Sequence, residues 1–582
     1  MRLFLALLLL SLPCPAQDKP NILLILADDL GWSDPGCYGS PLKNTPALDK
    51  LAAEGVRFTT ACTAQPICSP ARAALMTGRS PARLHLTDFI PGRRVMPSQR
   101  MLKPEMKQEL PLEEETMPEL LKKSGYATGI FGKWHLGGEG FGPQEQGFDH
   151  YFPGTANSTP SATEGGKGEY DLTAKACEWM EQNKDKPFFC YLAHNTPHIP
   201  LAAKKELEEK YRKAGAVNPT YAAMLETMDD CVRVTLEKLD ALQLRGKTIV
   251  IFLSDNGGLN VVEGVNTPAT SNSPLRGGKG GLYEGGLRVP LIIRWPGKVP
   301  AGKVEPTPVI STDLVPTLLA ATGTASSSQP CDGMNLLPLL TSGKQPERAS
   351  LFWHYPHYSN QRGFPGGAIR SGDWKLIESY DDGHLELYHL AEDPSEMQNL
   401  ALSHPSRVAD MLTALRTWRA EMNAQPMRGP NPDYDPLAAW NLIFQGPKGS
   451  LQLPASLAEI HGSALRYEPA PHKNTLGYWT RAEDWASWDV QVDRPGDFRI
   501  TMRFGCGSGS GGSEVEINLA GKSLAFTVKE TGGFQTWQEA DLGSVTLPAG
   551  RHTLSIRPKI KKGAAVMDVQ TVRLEPVPRN GN

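Results

Sequence analysis

The sequence lacks three features that would assign it to a specialised class of protein. Beyond its first 16 residues, the 582-residue chain has no apolar run near the ~20 residues that a membrane-spanning helix needs. Its cysteines form no CxxC pair and no zinc-ligand spacing, which argues against a metal knuckle or a dense disulfide scaffold. The formal net charge of −3 gives no sign of a nucleic-acid-binding or membrane-surface protein. A globular protein of several domains is therefore expected.

The N-terminus has the pattern of a secretory signal. In MRLFLALLLLSLPCPAQ, Arg2 precedes the apolar run Leu3–Leu12, and small residues follow it. We predict a signal peptide over residues 1–16 and a secreted or periplasmic mature protein. Lipidation of Cys14 is a weaker alternative, because Pro13 fits a lipoprotein signal poorly.

Short, continuously apolar runs alternate with helical patterns over the first part of the chain. The predicted strands are Ile22–Ala27, Tyr126–Phe131, Pro187–Ala193, Thr248–Leu253 and Val289–Trp295. The predicted helices are Pro46–Glu54, Ala71–Met76, Glu114–Lys123, Thr220–Leu242 and Asp313–Ala321, the last with Asp313 as its cap and Gly323 as its stop. This alternation predicts an α/β catalytic domain over residues 17–344, with a large mixed, mostly parallel sheet flanked by helices.

The remaining chain divides into two further units. Residues 345–440 contain antiparallel strand patterns such as GAIRSGDWKLIES, followed by a helical pattern near Arg407–Asn423, and predict a smaller α+β subdomain. A Pro-rich stretch precedes a linker at 441–452. Residues 453–582 show alternating stretches separated by Gly, Pro and Asp turns, which predicts an appended all-β sandwich.

Acidic and amide side chains directly follow two of the predicted strands. Asp28 and Asp29 follow the first strand, and Asp255 and Asn256 follow the fourth. In open α/β sheets, ligands bind beyond the carboxyl ends of strands, so these groups should share one rim. Three carboxylates and an amide oxygen suit Ca²⁺ or Mg²⁺. Each pair alone could be only a turn former or helix cap.

Basic groups and histidines are expected at the same rim. Lys133 and His135 follow the second strand, His198 follows the third, and Arg72 and Lys279 belong to neighbouring segments. A metal with cationic donors around it describes a site for a tetrahedral oxyanion ester. Each of these residues alone is more often a surface charge or a satisfied polar group.

Cys68 precedes a helix-forming run in the stretch QPICSPARAALMTGR. Pro70 fits the first turn of a helix, which places Cys68 at the positive N-terminal end. Arg72 lies one turn further along, on the same face. The alternative, a buried structural cysteine, explains neither Pro70 nor Arg72.

These residues resemble a known family. The run Cys68–Arg72, followed by Leu75–Arg79, resembles the C-x-P-x-R signature of type I formylglycine-dependent sulfatases, which belong to the alkaline-phosphatase superfamily. The resemblance covers roughly residues 20–440, and several spaced motifs agree in order. It implies an alkaline-phosphatase-like fold and the hydrolysis of sulfate esters.

The resemblance also implies a role for each candidate residue. Cys68 would be oxidised to Cα-formylglycine by a formylglycine-generating or sulfatase-maturating enzyme, and one hydroxyl of its hydrate would attack sulfur. One calcium ion would be held by Asp28, Asp29, Asp255, Asn256 and residue 68. Arg72 and His135 would support the hydrate. Lys133, His198 and Lys279 would contact the sulfate. His198 is preferred to His194 because the family has His two residues before the closing proline.

The substrate is expected to be a sulfated carbohydrate. TPATSNSPLRGGKGGLYEGG resembles bacterial sulfatases that act on galactose-type glycans, and the C-terminal module resembles carbohydrate-binding jelly rolls. Candidate substrate-pocket residues are His85, Asp88, His354 and His357. The tryptophans of the module are more typical of sandwich core than of sugar stacking; they are Trp479, Trp485 and Trp488.

Two other functions remain to be weighed. A phosphatase or phosphodiesterase of the same superfamily would be expected to use Ser or Thr at position 68 and a second metal site. A non-catalytic glycan-binding protein would leave Cys68 unconverted. The cysteine motif argues against the first, and the full set of acidic, basic and histidine positions argues against the second.

Overall fold

The structure is a computed structural model. It describes residues 19–93, 95–154, 167–263, 266–361, 363–435, 443–446, 448–462, 464–468 and 473–577. The predicted signal peptide lies outside these residues. Within them, no helix has both the length and the apolar character needed to span a bilayer. The described cysteines form no disulfide.

The first part of the chain forms a large sheet covered by helices. Its strands are β1 (Asn21–Ala27), β2 (Val56–Cys62), β3 (Met101–Leu102), β4 (Ala127–Gly132), β5 (His150–Phe152), β6 (Phe188–Ala193), β7 (Thr248–Ser254), β8 (Arg288–Arg294), β9 (Lys303–Glu305) and β10 (Val309–Ile310). The sheet order is β10-β2-β8-β7-β1-β6-β4-β5, with β9 beside β2 and β3 outside the sheet.

The sheet is mixed, as predicted, because one strand runs against its neighbours. β1 pairs in parallel with β6 and β7, and β4 pairs in parallel with β6 and β5. β8 is antiparallel to both β7 and β2. An apolar run does not encode strand direction, so the sequence pattern of β8 did not separate it from the parallel strands.

Strand β1 shows why this sheet is buried on both faces. Ile22, Leu24 and Leu26 belong to one apolar core, whereas Leu23 and Ile25 belong to the other. Successive side chains of a strand point to opposite faces, so a strand between two helical layers must be apolar throughout.

The α-helices of this part of the chain are α1 (Pro46–Glu54), α2 (Cys68–Thr77), α3 (Pro81–Leu84), α4 (Met117–Lys123), α5 (Glu169–Gln182), α6 (Lys205–Lys213), α7 (Pro219–Ala241), α8 (Glu284–Leu287), α9 (Leu314–Thr322) and α10 (Leu337–Ser342). The five predicted helices correspond to α1, α2, α4, α7 and α9, and the other five were not predicted. The helix predicted from Glu114 begins only at Met117, because Thr116 and Glu119 form a capping box there.

The predicted cap of α9 is wrong in one respect. Asp313 makes no side-chain cap hydrogen bond to α9. Its carboxylate instead accepts from the backbone N–H groups of Ile310 and Met334, and it pairs with Arg348. The helix does stop at Gly323, whose φ of +64° lies in the left-handed region that favours glycine.

A second, antiparallel sheet follows in the chain. It contains β11 (Leu351–Tyr355), β12 (Gly366–Ser371), β13 (Trp374–Ser379) and β14 (Leu385–His389), and α11 (Pro405–Glu421) packs on it. A short β15 (Gly429–Pro430) pairs back with β3. The predicted α+β character of this region is therefore confirmed.

A buried charge cluster joins this second sheet to the catalytic region. Lys375 of β13 lies 3.0 Å from Glu284 of α8 and 2.9 Å from Glu396, and all three side chains are inaccessible to solvent. Arg288 and Arg370 also pair with Glu284. We call these five residues the subdomain joint.

The C-terminal region forms two packed sheets. Its strands are β16 (Ile443–Phe444), β17 (Leu451–Pro454), β18 (Glu459–His461), β19 (Arg466–Glu468), β20 (Thr475–Gly477), β21 (Trp485–Val492), β22 (Gly496–Cys506), β23 (Glu514–Leu519), β24 (Lys522–Thr527), β25 (Gly533–Leu547), β26 (Gly550–Ile560) and β27 (Asp568–Pro576). The two sheet orders are β16-β21-β26-β23-β24 and β19-β20-β27-β22-β25. Both sheets are antiparallel except where β16 pairs in parallel with β21. The predicted sandwich is confirmed.

The three candidate tryptophans of the sandwich do not share one environment. Trp479 and Trp488 are fully buried in its core, as expected. Trp485 is only half-buried. Its ring stacks on His461 at 3.5 Å, and the Arg557 guanidinium lies 3.5 Å from its centroid. The His461 and Arg557 side chains therefore cover the Trp485 ring in this structure.

Candidate active site

Four neighbouring parallel strands end at one edge of the large sheet. Because β7, β1, β6 and β4 are adjacent, the residues that follow them meet there. Asp28 and Asp29 follow β1, and Asp255 and Asn256 follow β7. All four side chains are buried. The Asn256 amide donates to Asp29 Oδ1 at 2.7 Å, and the Asp29 N–H donates to Asp255 Oδ1 at 3.1 Å.

Each carboxylate of this group has a cationic partner. Lys133 Nζ lies 2.7 Å from Asp28, and Lys279 Nζ lies 2.7 Å from Asp29. The Arg72 guanidinium donates through Nε and Nη2 to Asp255 Oδ2, at 3.0 and 2.9 Å. Three buried carboxyl groups are thus matched by three buried cations, which lowers the cost of desolvating them together.

Cys68 is the first residue of α2. Its Sγ lies 3.6 Å from Asp28 Oδ1 and 3.9 Å from Asp29 Oδ1, and the residue is almost fully buried. Burial raises the pKa of the thiol, and nearby Lys133 and Lys279 do not offset this effect. Cys68 is therefore a protonated thiol at neutral pH and a poor nucleophile in that form.

The surrounding charges favour ionised carboxylate at the centre. Burial alone would raise the pKa of Asp28. The positive charges of Lys133 and Arg72 nevertheless hold that pKa well below its ordinary value. Asp28 is thus an anion at neutral pH.

Two histidines face the same region and are neutral. Burial and Lys133 lower the pKa of His135 to about 3, and its Nε2 lies 2.9 Å from the Ile90 carbonyl. Burial and Lys279 lower the pKa of His198 to about 3. His198 Nε2 lies 3.6 Å from Asp29 Oδ2.

The structure separates His198 from His194, which the sequence offers as an alternative. His194 is fully buried, and its Nδ1 lies 2.5 Å from Glu169 Oε2. His198 lines the cavity beside Cys68, and His194 is not among the lining residues. Glu169 also accepts from the Asn195 N–H and the Thr196 hydroxyl, so it fixes the loop that carries His198.

The donor set fits a hard divalent cation. Asp28, Asp29, Cys68 and His198 bring potential ligand atoms within 4.8 Å of one another. Asn256 Oδ1 is buried and has no hydrogen-bond partner among the described residues. A buried carbonyl oxygen without a partner is costly unless a ligand satisfies it, and carboxylate and amide oxygens are the ligands that calcium prefers.

Cys68 opens onto a cavity of about 580 Å³, a size that suits one or two sugar rings. Lys133, His135, His198 and Lys279 line one part of it. The remaining lining residues were not predicted from the sequence; they are Ile67, Phe89, Ile90, Arg93, Met96, Glu263, Asn360 and Gln361. They come from loops whose sequences carry no recognisable motif.

The four predicted substrate residues do not line this cavity. His85 Nε2 bonds to the Asn423 carbonyl, and His354 is buried between Tyr380 and the Gln425 carbonyl. The other two lie behind the cavity wall. His357 is buried on the Thr87 hydroxyl, and Asp88 is buried on the Arg93 guanidinium. Sequence proximity to the motifs did not predict that each of these side chains has a hydrogen-bond partner within the fold and faces away from the cavity.

Three family models match the chain. Residues 20–324 match the Sulfatase family, and residues 278–423 match the C-terminal region of N-sulphoglucosamine sulphohydrolase. Residues 458–576 match carbohydrate binding module family 6. The first match covers the strand ends, α2 and the cavity cations described above.

Named relatives agree with these matches. Human arylsulfatase A is 34% identical over 73% of this chain and 92% of its own length. Human N-acetylgalactosamine-6-sulfatase is 35% identical over 58% of this chain and 69% of its own length. The crystal structure of Ps i-CgsB in complex with k-i-k-neocarrahexaose is 30% identical, with a TM-score of 0.61 over 70% of this chain and 94% of that one. The chain belongs to the sulfatase family, whose members hydrolyse sulfate esters.

Proposed function

We propose that the protein releases sulfate from sulfated carbohydrates, using a formylglycine made from Cys68. The position of Cys68 carries this proposal. It lies at the start of α2, within 4 Å of Asp28 and Asp29, on a cavity lined by two lysines and two histidines. Its raised pKa disfavours direct attack by the thiol, which is consistent with a modified residue at this position.

Two groups would complete the centre. A hydrated aldehyde at position 68 would supply one hydroxyl as the nucleophile and a second hydroxyl whose deprotonation expels the sulfate. A calcium ion would supply positive charge to the site. Asp28, Asp29, Asp255 and Asn256 are the side chains that would hold the ion, with residue 68 as a further ligand. The unpartnered Asn256 Oδ1 supports this ligand set, which magnesium could share.

The chain's own residues position and neutralise the substrate. Lys133 and Lys279 present ammonium groups to the sulfate. Arg72 fixes the Asp255 carboxylate through two donors and the Lys133 backbone carbonyl through a third. In this role it supports the geometry around residue 68.

Proton transfer falls to groups that line the cavity. The leaving alcohol needs a proton, which the Lys279 ammonium can supply directly. His198 Nε2 can supply one only after the ring, neutral in this structure, has taken up a proton. His135, which is neutral in this structure, can hydrogen-bond a hydroxyl on residue 68 and accept its proton. These roles follow the family pattern and the placement of the side chains.

The names of similar proteins support a carbohydrate substrate. One relative is an N-acetylgalactosamine-6-sulfatase, and one structure holds a neocarrahexaose. The match to a carbohydrate binding module adds a glycan-binding expectation for the sandwich. We infer a galactose-type sulfated glycan as substrate, an exported enzyme, and a maturating enzyme as its modification partner.

Mass spectrometry of the tryptic peptide Phe58–Arg72 tests the proposal directly. In protein from its natural host, residue 68 is expected to carry an aldehyde, detected by its lower mass and by capture with a hydrazine reagent. Converted enzyme should release sulfate from sugar sulfates. Residue 68 found wholly as a thiol would contradict the mechanism, and faster turnover of phosphate esters would favour a phosphatase.

A further inference from the structure

The cavity beside Cys68 contains a carboxylate as well as cations. Glu263 lines it together with Lys133 and Lys279. A carboxylate in a cavity that receives a sulfate ester repels that substrate, which costs binding energy. Its presence therefore calls for a compensating contact.

Glu263 is held in place by a chain of polar contacts. Gln361 Nε2 donates to Glu263 Oε2 at 2.7 Å, and Gln361 Oε1 accepts from Arg93 Nη2 at 3.1 Å. Arg93 in turn pairs with the buried Asp88 at 2.9 Å. The Glu263 backbone N–H donates to the Thr267 hydroxyl at 2.8 Å. These contacts hold the Glu263 carboxylate in place, and Arg93, Glu263 and Gln361 together form one wall of the cavity.

The wall offers both kinds of hydrogen-bonding group to a ligand. A carboxylate has about four acceptor positions, and the structure assigns one of those on Glu263 to Gln361. Asn360 uses its Oδ1 to accept from Arg93 Nε at 2.8 Å, which leaves its amide N–H groups as donors. Acceptors and donors fixed beside one another are what a ring with several hydroxyls requires.

We propose that Glu263 binds a sugar hydroxyl next to the sulfate ester, with the Asn360 amide donating to a second oxygen of the same ring. This inference rests on the proposed carbohydrate sulfatase activity. Asp88, predicted as a direct sugar contact, is assigned a positioning role instead, because it anchors Arg93 from behind the wall. Glu263 then sets specificity for the sugar and has no part in the chemical step.

Paired substrates separate this role from a structural one. Converted wild-type enzyme and Glu263→Leu are compared on 4-nitrophenyl sulfate and on the best substrate among the monosulfates of galactose, N-acetylgalactosamine and glucose. The aryl ester has no hydroxyls to bind. We expect kcat/KM on the sugar sulfate to fall about ten- to a hundredfold more than on the aryl ester, which is the effect of losing a hydrogen bond to a charged group.

Three further measurements sharpen the test. Glu263→Gln keeps an acceptor for Gln361 and should show the same selective loss to a smaller degree, even if the leucine variant folds poorly. Glu139→Gln, on an exposed carboxylate, should change neither substrate. A sugar sulfate lacking the hydroxyl next to the ester should be a poorer substrate for wild type, with little further loss in Glu263→Leu.

Equal losses on the sugar and aryl sulfates would overturn the inference alone. The inference would also be overturned if removal of the neighbouring hydroxyl lowered kcat/KM in Glu263→Leu as much as in wild type. Wild-type enzyme that cleaves the aryl ester and no sugar sulfate would instead overturn the proposed substrate class, and this inference with it.

Discussion

Replacement of Lys375 by methionine tests how the catalytic region is joined to the second sheet. The Lys375 ammonium lies between Glu284 and Glu396, 3.0 and 2.9 Å away, with no solvent access. Lys375→Met removes the charge while keeping an unbranched side chain. Breaking a buried ion pair by removing one partner costs about 3–5 kcal/mol, because the other charge stays buried without compensation.

The cations that remain in Lys375→Met determine where in this range the loss of stability falls. Arg288 and Arg370 still pair with Glu284, whereas only Lys375 pairs with Glu396 among the described ion pairs. Burial raises the pKa of Glu396 to about 7 even with Lys375 present. Glu396 can therefore take up a proton in the variant, which limits the loss to the lower part of the range.

Urea unfolding and native-state hydrogen exchange measure this loss. A cost near 3 kcal/mol corresponds to a midpoint shift of about 1–2 M urea in the transition that includes the second sheet. Amide exchange should speed up in β12, β13 and α8, while the sandwich keeps its protection. Lys344→Met, at an exposed position, is the control. A midpoint unchanged from wild type, with normal exchange in β13, would refute the assigned role of the joint.

Three other perturbations follow from the site and its surroundings. Asp255→Ala should lose calcium, measured by elemental analysis of folded protein, and full occupancy would contradict the ligand set. Arg72→Lys keeps the charge but loses the forked donation to Asp255, so sulfate release should fall at least tenfold; an unchanged rate would argue against a positioning role. Burial lowers the pKa of His354 to about 3 from the usual value near 6.5, so its contribution to stability is complete above pH 6.5 and is lost as the pH falls towards 3. His354→Gln should make unfolding free energy fall less steeply across that window, and equal slopes would contradict this assignment.

The chemical centre was predictable because it depends on features with a local sequence signal. Asp28 and Asp255 each follow a continuously apolar strand, and Cys68 precedes a run that starts with proline and ends with glycine. The adjacent parallel strands β1 and β7 then bring Asp28 and Asp255 together, and the start of α2 places Cys68 beside Asp28. The placement of side chains at strand ends therefore follows from pattern alone.

Other features depend on tertiary contacts that no local pattern records. Asp29 and His135 adopt φ values of +67° and +60°, which propensity does not predict for non-glycine residues. Asp313 has the position of a helix cap, yet its carboxylate pairs with Arg348 and accepts from the backbone N–H groups of Ile310 and Met334. Whether a polar residue caps, pairs or lines a cavity is decided by which partner the fold brings within reach.

The same distinction explains why the sequence analysis singled out Asp28, Cys68 and Asp255 but missed the cavity residues Arg93, Glu263 and Gln361. Arg93, Glu263 and Gln361 lie in three loops separated by more than 90 residues each, and they meet through hydrogen bonds between side chains. The residues proposed to contact the sulfate lie in spaced motifs that resemble those of sulfatases. The residues proposed to contact the sugar lie in loops, and loop sequences tolerate change most readily. A structure is therefore needed to identify the residues that select the sugar, and Glu263 is the clearest candidate it offers.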